Sequence, residues 1–186
     1  MRKIVAGLFM SLDGVIEGPG PQDPFERAGW TMPYWSDDIG AYIGASSADS
    51  DALLLGRVTY QGFAEAFGAM TGPDADMMNG FRKYVVSNTL KQANWVNSTI
   101  ISGDVIAEIK RLKQQPGKNI NMSGSGTLVQ SLLQNGLVDE LGLLVYPVVV
   151  GMGKRLFPEG IAQSKLNLVE ARPMASGVVL LRYQPA

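Results

Sequence analysis

Four short segments carry the residues that could do chemistry in this chain. In Leu53-Leu54-Leu55-Gly56-Arg57-Val58-Thr59-Tyr60 an apolar run ends in Gly-Arg-x-Thr and a helix follows. Gly56 lets backbone approach a ligand, Thr59 offers a hydroxyl to a phosphate oxygen, and a helix start adds free N–H groups with a favourable dipole. Arg57 supplies a two-pronged cation. The same residues admit a plainer role, with Thr59 as a helix N-cap and Arg57 as a solvated charge. A second apolar run, Ile120-Asn121-Met122, passes through Ser123 into Gly124-Ser125-Gly126-Thr127-Leu128. This small-residue turn suits a pyrophosphate, although it is not the six-position glycine fingerprint, and glycine-rich turns also occur where nothing binds. The third segment, Lys83-Tyr84-Val85-Val86, ends in Ser87-Asn88-Thr89, and the fourth is Ser11-Leu12-Asp13-Gly14 after the first apolar run. Asp13 is the first candidate for a polar catalytic group, with turn formation alongside Gly14 as the alternative.

What the chain lacks narrows the chemistry further. Among its 186 residues there is no Cys and no His. Disulfides, cysteine nucleophiles, imidazole bases, Ser-His-Asp hydrolysis and Cys/His metal sites are therefore excluded, and no metal site is expected. The surviving options are cofactor-borne chemistry or acid–base work by Asp, Glu, Lys, Tyr or Ser. Lys plus Arg number 16 against 17 Asp plus Glu, a net charge of −1, so no basic surface for nucleic acid is expected. Arg2 and Lys3 before the apolar stretch Ile4 to Leu12 imitate a signal peptide, but the stretch is short and stops at Asp13-Gly14 without a cleavage pattern. A buried strand is the better reading. No segment reaches the length of a membrane span, and the absence of Cys fits a cytoplasmic location.

These segments need a scaffold that presents strand ends side by side. Short apolar runs alternate with helical periodicity, which predicts one α/β domain over residues 1–186 with a mostly parallel sheet. Strands are expected at Lys3–Phe9, Ala52–Leu55, Lys83–Ser87, Thr99–Ser102, Asn119–Met122 and Glu140–Tyr146. Helices are expected at Asp37–Ala48, Asp104–Gln114 and Thr127–Asn135, with Asp104 as N-cap and Gly136 as the residue after the last helix. The tail segments Leu166–Ala171 and Gly177–Tyr183 read as an antiparallel hairpin, and Glu17 to Pro33, rich in Gly and Pro, as a long loop. Trp30, Tyr34 and Trp35 follow that loop and suit either stacking on a flat ring or core packing. Met77 and Met78 read as packing residues.

In order and spacing, Gly56-Arg57-Val58-Thr59-Tyr60, Val86-Ser87-Asn88 and Gly124-Ser125-Gly126-Thr127-Leu128 resemble the dihydrofolate reductase-like superfamily. Ser11-Leu12-Asp13-Gly14 and the run from Gly136 through Tyr146-Pro147 to Phe157 are similar to its riboflavin-biosynthesis reductase branch. The resemblance spans nearly the whole chain. It implies a three-layer α/β/α domain with about eight strands that binds NADPH across the carboxyl edge of the sheet, and a homodimer, to which the apolar run Val145–Val150 would contribute. Arg57 and Thr59 would hold cofactor phosphates, Ser87 and Asn88 the adenosine ribose and its 2′-phosphate, and Gly124, Ser125, Gly126, Thr127 and Leu128 the pyrophosphate. On the substrate side it implies an acid on the first long helix, with Asp37 and Asp38 as the nearest candidates; Asp38, and Trp35 as a stacking ring, are the expected substrate contacts. Two departures matter: the surroundings of Asp37 and Asp38 differ from the folate-binding pattern, and Ser123 stands where the riboflavin branch has Glu. The expected activity is therefore NADPH-dependent hydride transfer to a small heterocyclic or carbonyl-containing metabolite. It would be similar to 5-amino-6-(5-phosphoribosylamino)uracil reductase and dihydrofolate reductase, with neither substrate as the main one. The alternative is a non-catalytic NADP(H)-binding module with an assembly or sensing role.

Overall fold

The computed structural model describes residues Met1–Ala186. Along the chain run β1 (Ile4–Ser11), a 3-10 turn (Met32–Tyr34), α1 (Asp37–Ala48), β2 (Ser50–Gly56), α2 (Arg57–Phe67), α3 (Pro73–Gly80) and β3 (Arg82–Val86). There follow β4 (Ser98–Ile101), α4 (Val105–Gln114), β5 (Asn119–Ser123), α5 (Gly126–Gln134), β6 (Glu140–Tyr146), β7 (Leu166–Pro173) and β8 (Val179–Pro185). The strands form one eight-stranded sheet in the order β4-β3-β2-β5-β1-β6-β8-β7. Pairings from β4 across to β6 are parallel, while β8 runs antiparallel to β6 and β7 antiparallel to β8. This is the mostly parallel, three-layer arrangement with a terminal hairpin that the residue pattern predicts.

Alternation along the strands explains the layers. On β2, Ala52 and Leu54 point into a core shared with Ile109 and Leu112 of α4 and Val129 and Leu132 of α5. Leu53 and Leu55 point the other way, toward Tyr60, Phe81 and Trp95. A parallel strand sandwiched between helix layers must be apolar on both faces, which is why this strand reads as an unbroken run. A third cluster, around Ile39 of α1, Leu144, Tyr146 and Leu180, covers the β6 and β8 side. Asp104 caps α4 by accepting from the Ala107 N–H at 3.0 Å, and Gly136 takes φ 63° just after α5.

Several expectations shift. The helix after β2 starts at Arg57 with Gly56 as N-cap, so Thr59 lies inside the first turn and does not cap it. Helix α3, short and opened by Gly72-Pro73, was not foreseen, because its eight residues are too few to carry a helical period. Met78 packs on the Leu53 side of the core, but Met77 is exposed. The run Val145–Val150 is not a continuous apolar face: Tyr146 and Val150 turn into the chain's own core, and Val149 is left exposed. Asp139 and Glu140 sit at the amino end of β6. Asp139 pairs with the buried Lys113 and accepts from the Ile4 N–H, while Glu140 grips Arg182. Both brace the edge opposite the chemistry-bearing segments.

Candidate functional site

Parallel pairing brings the carboxyl ends of β3, β2, β5, β1 and β6 to one edge, in that spatial order. Ser87 and Asn88 follow β3, Gly56 and Arg57 close β2, Gly124 to Leu128 follow β5, Asp13 follows β1, and Tyr146 ends β6. All four segments singled out above therefore lie along the edge where open α/β sheets bind ligands.

The β2 and β5 turns are locked to each other. The Gly56 N–H donates to Ser125 Oγ at 2.9 Å, and the Ser125 N–H donates to Thr59 Oγ1 at 3.1 Å. Ser125 takes the left-handed conformation, φ 57°, next to Gly124 at φ 67°. This pair of positive angles bends the chain so that α5 begins immediately beside α2. A side chain on Gly124 would press on Thr59 at 3.4 Å, and one on Gly126 would collide with Ile16. The N–H groups of Gly126, Thr127 and Leu128 at the start of α5 have no acceptor within the protein, so they are available to an anion. Arg57 is exposed at the start of α2 and donates to Gln61 Oε1 at 2.9 Å.

At the β3 end, Ser87 is buried, and its hydroxyl accepts from the N–H groups of Thr89 at 3.2 Å and Leu90 at 2.9 Å. Its first task is to shape the turn. Asn88 is exposed and accepts from the Gly103 N–H at 3.3 Å, which ties the β3 and β4 ends together.

Asp13 is the most heavily engaged carboxylate on the edge. It accepts from Ser11 Oγ at 2.6 Å, from the Val150 N–H at 3.0 Å and from the Gly151 N–H at 2.8 Å. Arg155 adds Nε to the Asp13 carbonyl at 2.9 Å. The Ser11 hydroxyl first, and then the two backbone N–H groups, hold the Asp13 pKa down at about 2. A carboxylate held this way is ionised at neutral pH and donates no proton; it joins the end of β1 to the turn after β6. Folding thus lowers its pKa below the ordinary 3.8, so its stabilisation is present above that value and lost as pH falls toward 2. The difference in urea midpoint between wild type and Asp13→Asn is accordingly expected to be constant above about pH 4 and to shrink below it.

Asp38 shows the same character. It accepts from Ser36 Oγ at 2.5 Å, the Ile39 N–H at 3.0 Å and the Ala175 N–H at 2.9 Å, and the Ser36 hydroxyl and Ala175 amide hold its carboxyl below the usual range. It fastens the start of α1 to the β7–β8 turn. Trp35 is exposed. Trp30 is buried and donates from Nε1 to the Glu17 carbonyl at 2.8 Å, and Thr31 Oγ1 donates to the Pro19 carbonyl at 2.6 Å. With Gly29 N–H to Gly18 carbonyl at 2.9 Å, these bonds close the long loop on itself. It lies against the body through Arg27, which donates to the Val150 carbonyl, and through Glu17, which pairs with Lys154.

Residue types alone did not reveal Tyr146. It sits against the end of β1 with Ser11 as its register partner, and Phe9, Trp30 and Tyr34 meet its ring edge-on at 5.4–6.1 Å. The available signal was an aromatic residue closing the strand next to Ser11-Leu12-Asp13-Gly14.

The fold is that of the dihydrofolate reductase-like α/β proteins. Within that class, the model of the RibD C-terminal domain matches residues 2–180, and the chain belongs to that family. It is 30% identical over 188 residues to the uncharacterized protein YyaP of Bacillus subtilis (strain 168), covering 98% of this chain and 94% of that one. A pyrimidine reductase-like protein from Corynebacterium diphtheriae NCTC superposes with a TM-score of 0.69 at 15% identity, over 100% of this chain and 92% of its own. Dihydrofolate reductase from Enterococcus faecalis, complexed with NADP(H) and RAB-propyl, superposes with a TM-score of 0.64 at 18% identity, covering 98% of this chain and 96% of the other. At these identities the two solved structures speak to the fold. No helix is long and apolar enough to cross a membrane.

Proposed function

We propose that this chain is an NADPH-dependent oxidoreductase that reduces a small heterocyclic or carbonyl-containing metabolite. The observation that carries the reading is the mutual pinning of the β2 and β5 turns through Gly56, Thr59 and Ser125, which leaves the α5 amino end free for an anion. A dinucleotide fits that edge. Its pyrophosphate would meet the N–H groups of Gly126, Thr127 and Leu128, with Arg57 and the first turn of α2 on the next phosphate. Its adenosine would lie toward Ser87 and Asn88, and its nicotinamide toward Ile16 and the end of β1. Glycine at 124 and 126 lets the turn pack directly on Thr59 and Ile16, since a Cβ at either would meet them.

The bound cofactor supplies the hydride; the protein's part is to hold both partners in line and exclude water. Asp13 acts by position in this scheme. It fixes the Val150–Gly151 turn against the end of β1, and it stays ionised there. Asp38 likewise sets the start of α1 beside Ala175. Neither carboxyl supplies a proton at neutral pH, so on this reading the acceptor's proton comes from another donor. Trp35, exposed next to α1, is free to cover a flat ring. We place the protein in the cytoplasm as a homodimer of single 1–186 domains, for which light scattering giving a monomer is the disproof.

The same carboxylates favour a second reading. Because both acids on the substrate side are taken up by structural hydrogen bonds, the cleft would also serve as a non-catalytic NADP(H)-binding module. Titration with NADPH and NADH, followed by tryptophan quenching, separates these readings when joined to an acceptor screen. Micromolar NADPH binding with oxidation of the cofactor by an acceptor supports the reductase; binding without turnover across a broad panel supports the module. Arg57→Ala is expected to weaken NADPH roughly tenfold, and Ser125→Ala by a similar factor, since each removes about one charge-assisted or turn-fixing hydrogen bond. No binding of either nucleotide would overturn both readings.

A further inference from the structure

Tyr146 is fully buried, and its hydroxyl has no hydrogen-bond partner. Buried tyrosine hydroxyls ordinarily find one, because the desolvated O–H is costly to leave unpaired. The ring itself is accounted for by edge-on contacts with Phe9, Trp30 and Tyr34 at 5.6, 5.4 and 6.1 Å. Phenylalanine would make the same contacts without the orphan oxygen. The ring contacts therefore do not account for the hydroxyl.

Its position supplies a reason for it. Tyr146 ends β6 opposite Ser11, and the same β1 exit sends Ile16 against Gly126 at the start of α5. On the reading above, the nicotinamide would therefore reach the same strand end as the Tyr146 ring, with Ile16 packed on the α4–α5 face and Tyr146 on the α1 face. Two of the rings over Tyr146 come from the long loop and the turn after it. Trp30 is bonded within that loop, and Tyr34 belongs to the Met32–Tyr34 turn. Internal bonds from Trp30 to Glu17 and from Thr31 to Pro19 hold this segment together, so that it would shift as a unit on release of its ties to the body, Arg27 to the Val150 carbonyl and Glu17 to Lys154.

We infer that Tyr146 Oη donates a hydrogen bond to the hydride acceptor, that the acceptor is a planar heterocycle or quinone bearing a carbonyl oxygen or ring nitrogen, and that Trp30 and Tyr34 occupy its place against Tyr146 when none is bound. This rests on the reductase reading above. Burial pushes the Tyr146 pKa up to about 12, so the phenol keeps its proton and serves as a donor without transferring it. Edge-on aromatic neighbours suit a flat guest, which replaces ring contacts with ring contacts.

The test compares wild type with Tyr146→Phe for thermal stability, NADPH affinity, and steady-state NADPH oxidation with alloxazine, 2-amino-4-hydroxypteridine and 1,4-naphthoquinone. The expected result is an unchanged or higher melting temperature, NADPH affinity unchanged within about twofold, and kcat/KM lower by about tenfold or more for an acceptor that wild type reduces. A clearly lower melting temperature in the variant would mean that the hydroxyl is already bonded in the free protein and would overturn the inference. So would equal kcat/KM in the two proteins, or NADPH binding by wild type with reduction of none of the three acceptors. Failure of wild type to bind NADPH at all would instead remove the reductase reading, and this inference with it.

Discussion

Asp13→Ala is expected to lower the melting temperature by roughly 6–12 °C and to abolish most cofactor-dependent turnover. The side chain accepts from both the Val150 and Gly151 N–H groups and so, beside the Leu12 N–H to Val148 carbonyl bond, ties the exit of β1 to the turn after β6. Val150 is buried, so its amide would lose a charged acceptor without easy access to water. Two hydrogen bonds to a charged group, at about 1.5 kcal/mol or more each, give about 3 kcal/mol. For a domain of this size each kcal/mol moves the midpoint by about 2–4 °C. The functional loss follows from the same bonds, because Val150 also accepts from Arg27 of the long loop. Releasing this turn frees the loop and the Trp30 ring together, at the end of the cleft where hydride would be delivered. Thermal melts alongside single-turnover NADPH oxidation check both parts; a variant as stable as wild type would show that Asp13 does not organise the turn.

Lys83→Met is expected to be at least as damaging to stability, by about 3–5 kcal/mol, while leaving NADPH affinity unchanged below its melting temperature. Lys83 lies on β3 with its side chain fully buried and without a carboxylate partner. Its ammonium instead donates to the carbonyls of Asn79, Phe81 and Val96 at 2.9, 3.0 and 3.1 Å and sits 4.2 Å over the Trp95 ring. These contacts join the end of α3, the start of β3 and the segment before β4. Methionine fills the volume but leaves the carbonyls unpaired, at about 1 kcal/mol or more each, and forfeits the cation–π contact. Burial pulls the Lys83 pKa down to about 8; the group is charged at neutral pH, where three carbonyl dipoles take the place of a counterion. The expected separation of effects arises from topology, since this knot sits at the amino end of β3 and the candidate site at the other. Equilibrium urea unfolding and a parallel NADPH titration test it, and a large fall in affinity with unchanged stability would reverse the assignment.

Much of this architecture was legible in the chain. Two-sided burial of β2 follows from the run of Leu53, Leu54 and Leu55, because only a strand covered on both faces tolerates such continuity. Asp104 and Gly136 mark helix boundaries through local capping physics that needs no tertiary partner. Helix α3 was not legible, since Pro73–Gly80 is short and its only strong signal is the Gly-Pro start. The alternative of Thr59 as the cap of α2 does not hold, because Gly56 takes that place and the Thr59 hydroxyl is engaged by the Ser125 N–H, 66 positions away.

The division between the two levels has a physical basis. Residue types by themselves excluded thiol, imidazole and Cys/His metal chemistry, and local periodicity determined which segments become strands and helices. They also identified the polar strand ends, because glycine, hydroxyl and amide groups after an apolar run have few other uses. Only the tertiary structure decided what those groups do. Parallel pairing set the order of strand ends along one edge, and long-range hydrogen bonds turned Asp13 and Asp38 from candidate acids into ionised fasteners. It was also packing between β6 and the long loop that enclosed the Tyr146 hydroxyl without a partner. Hydrogen-bond satisfaction and burial depend on what the rest of the chain brings near an atom, and that information is absent from the residue's neighbours in sequence.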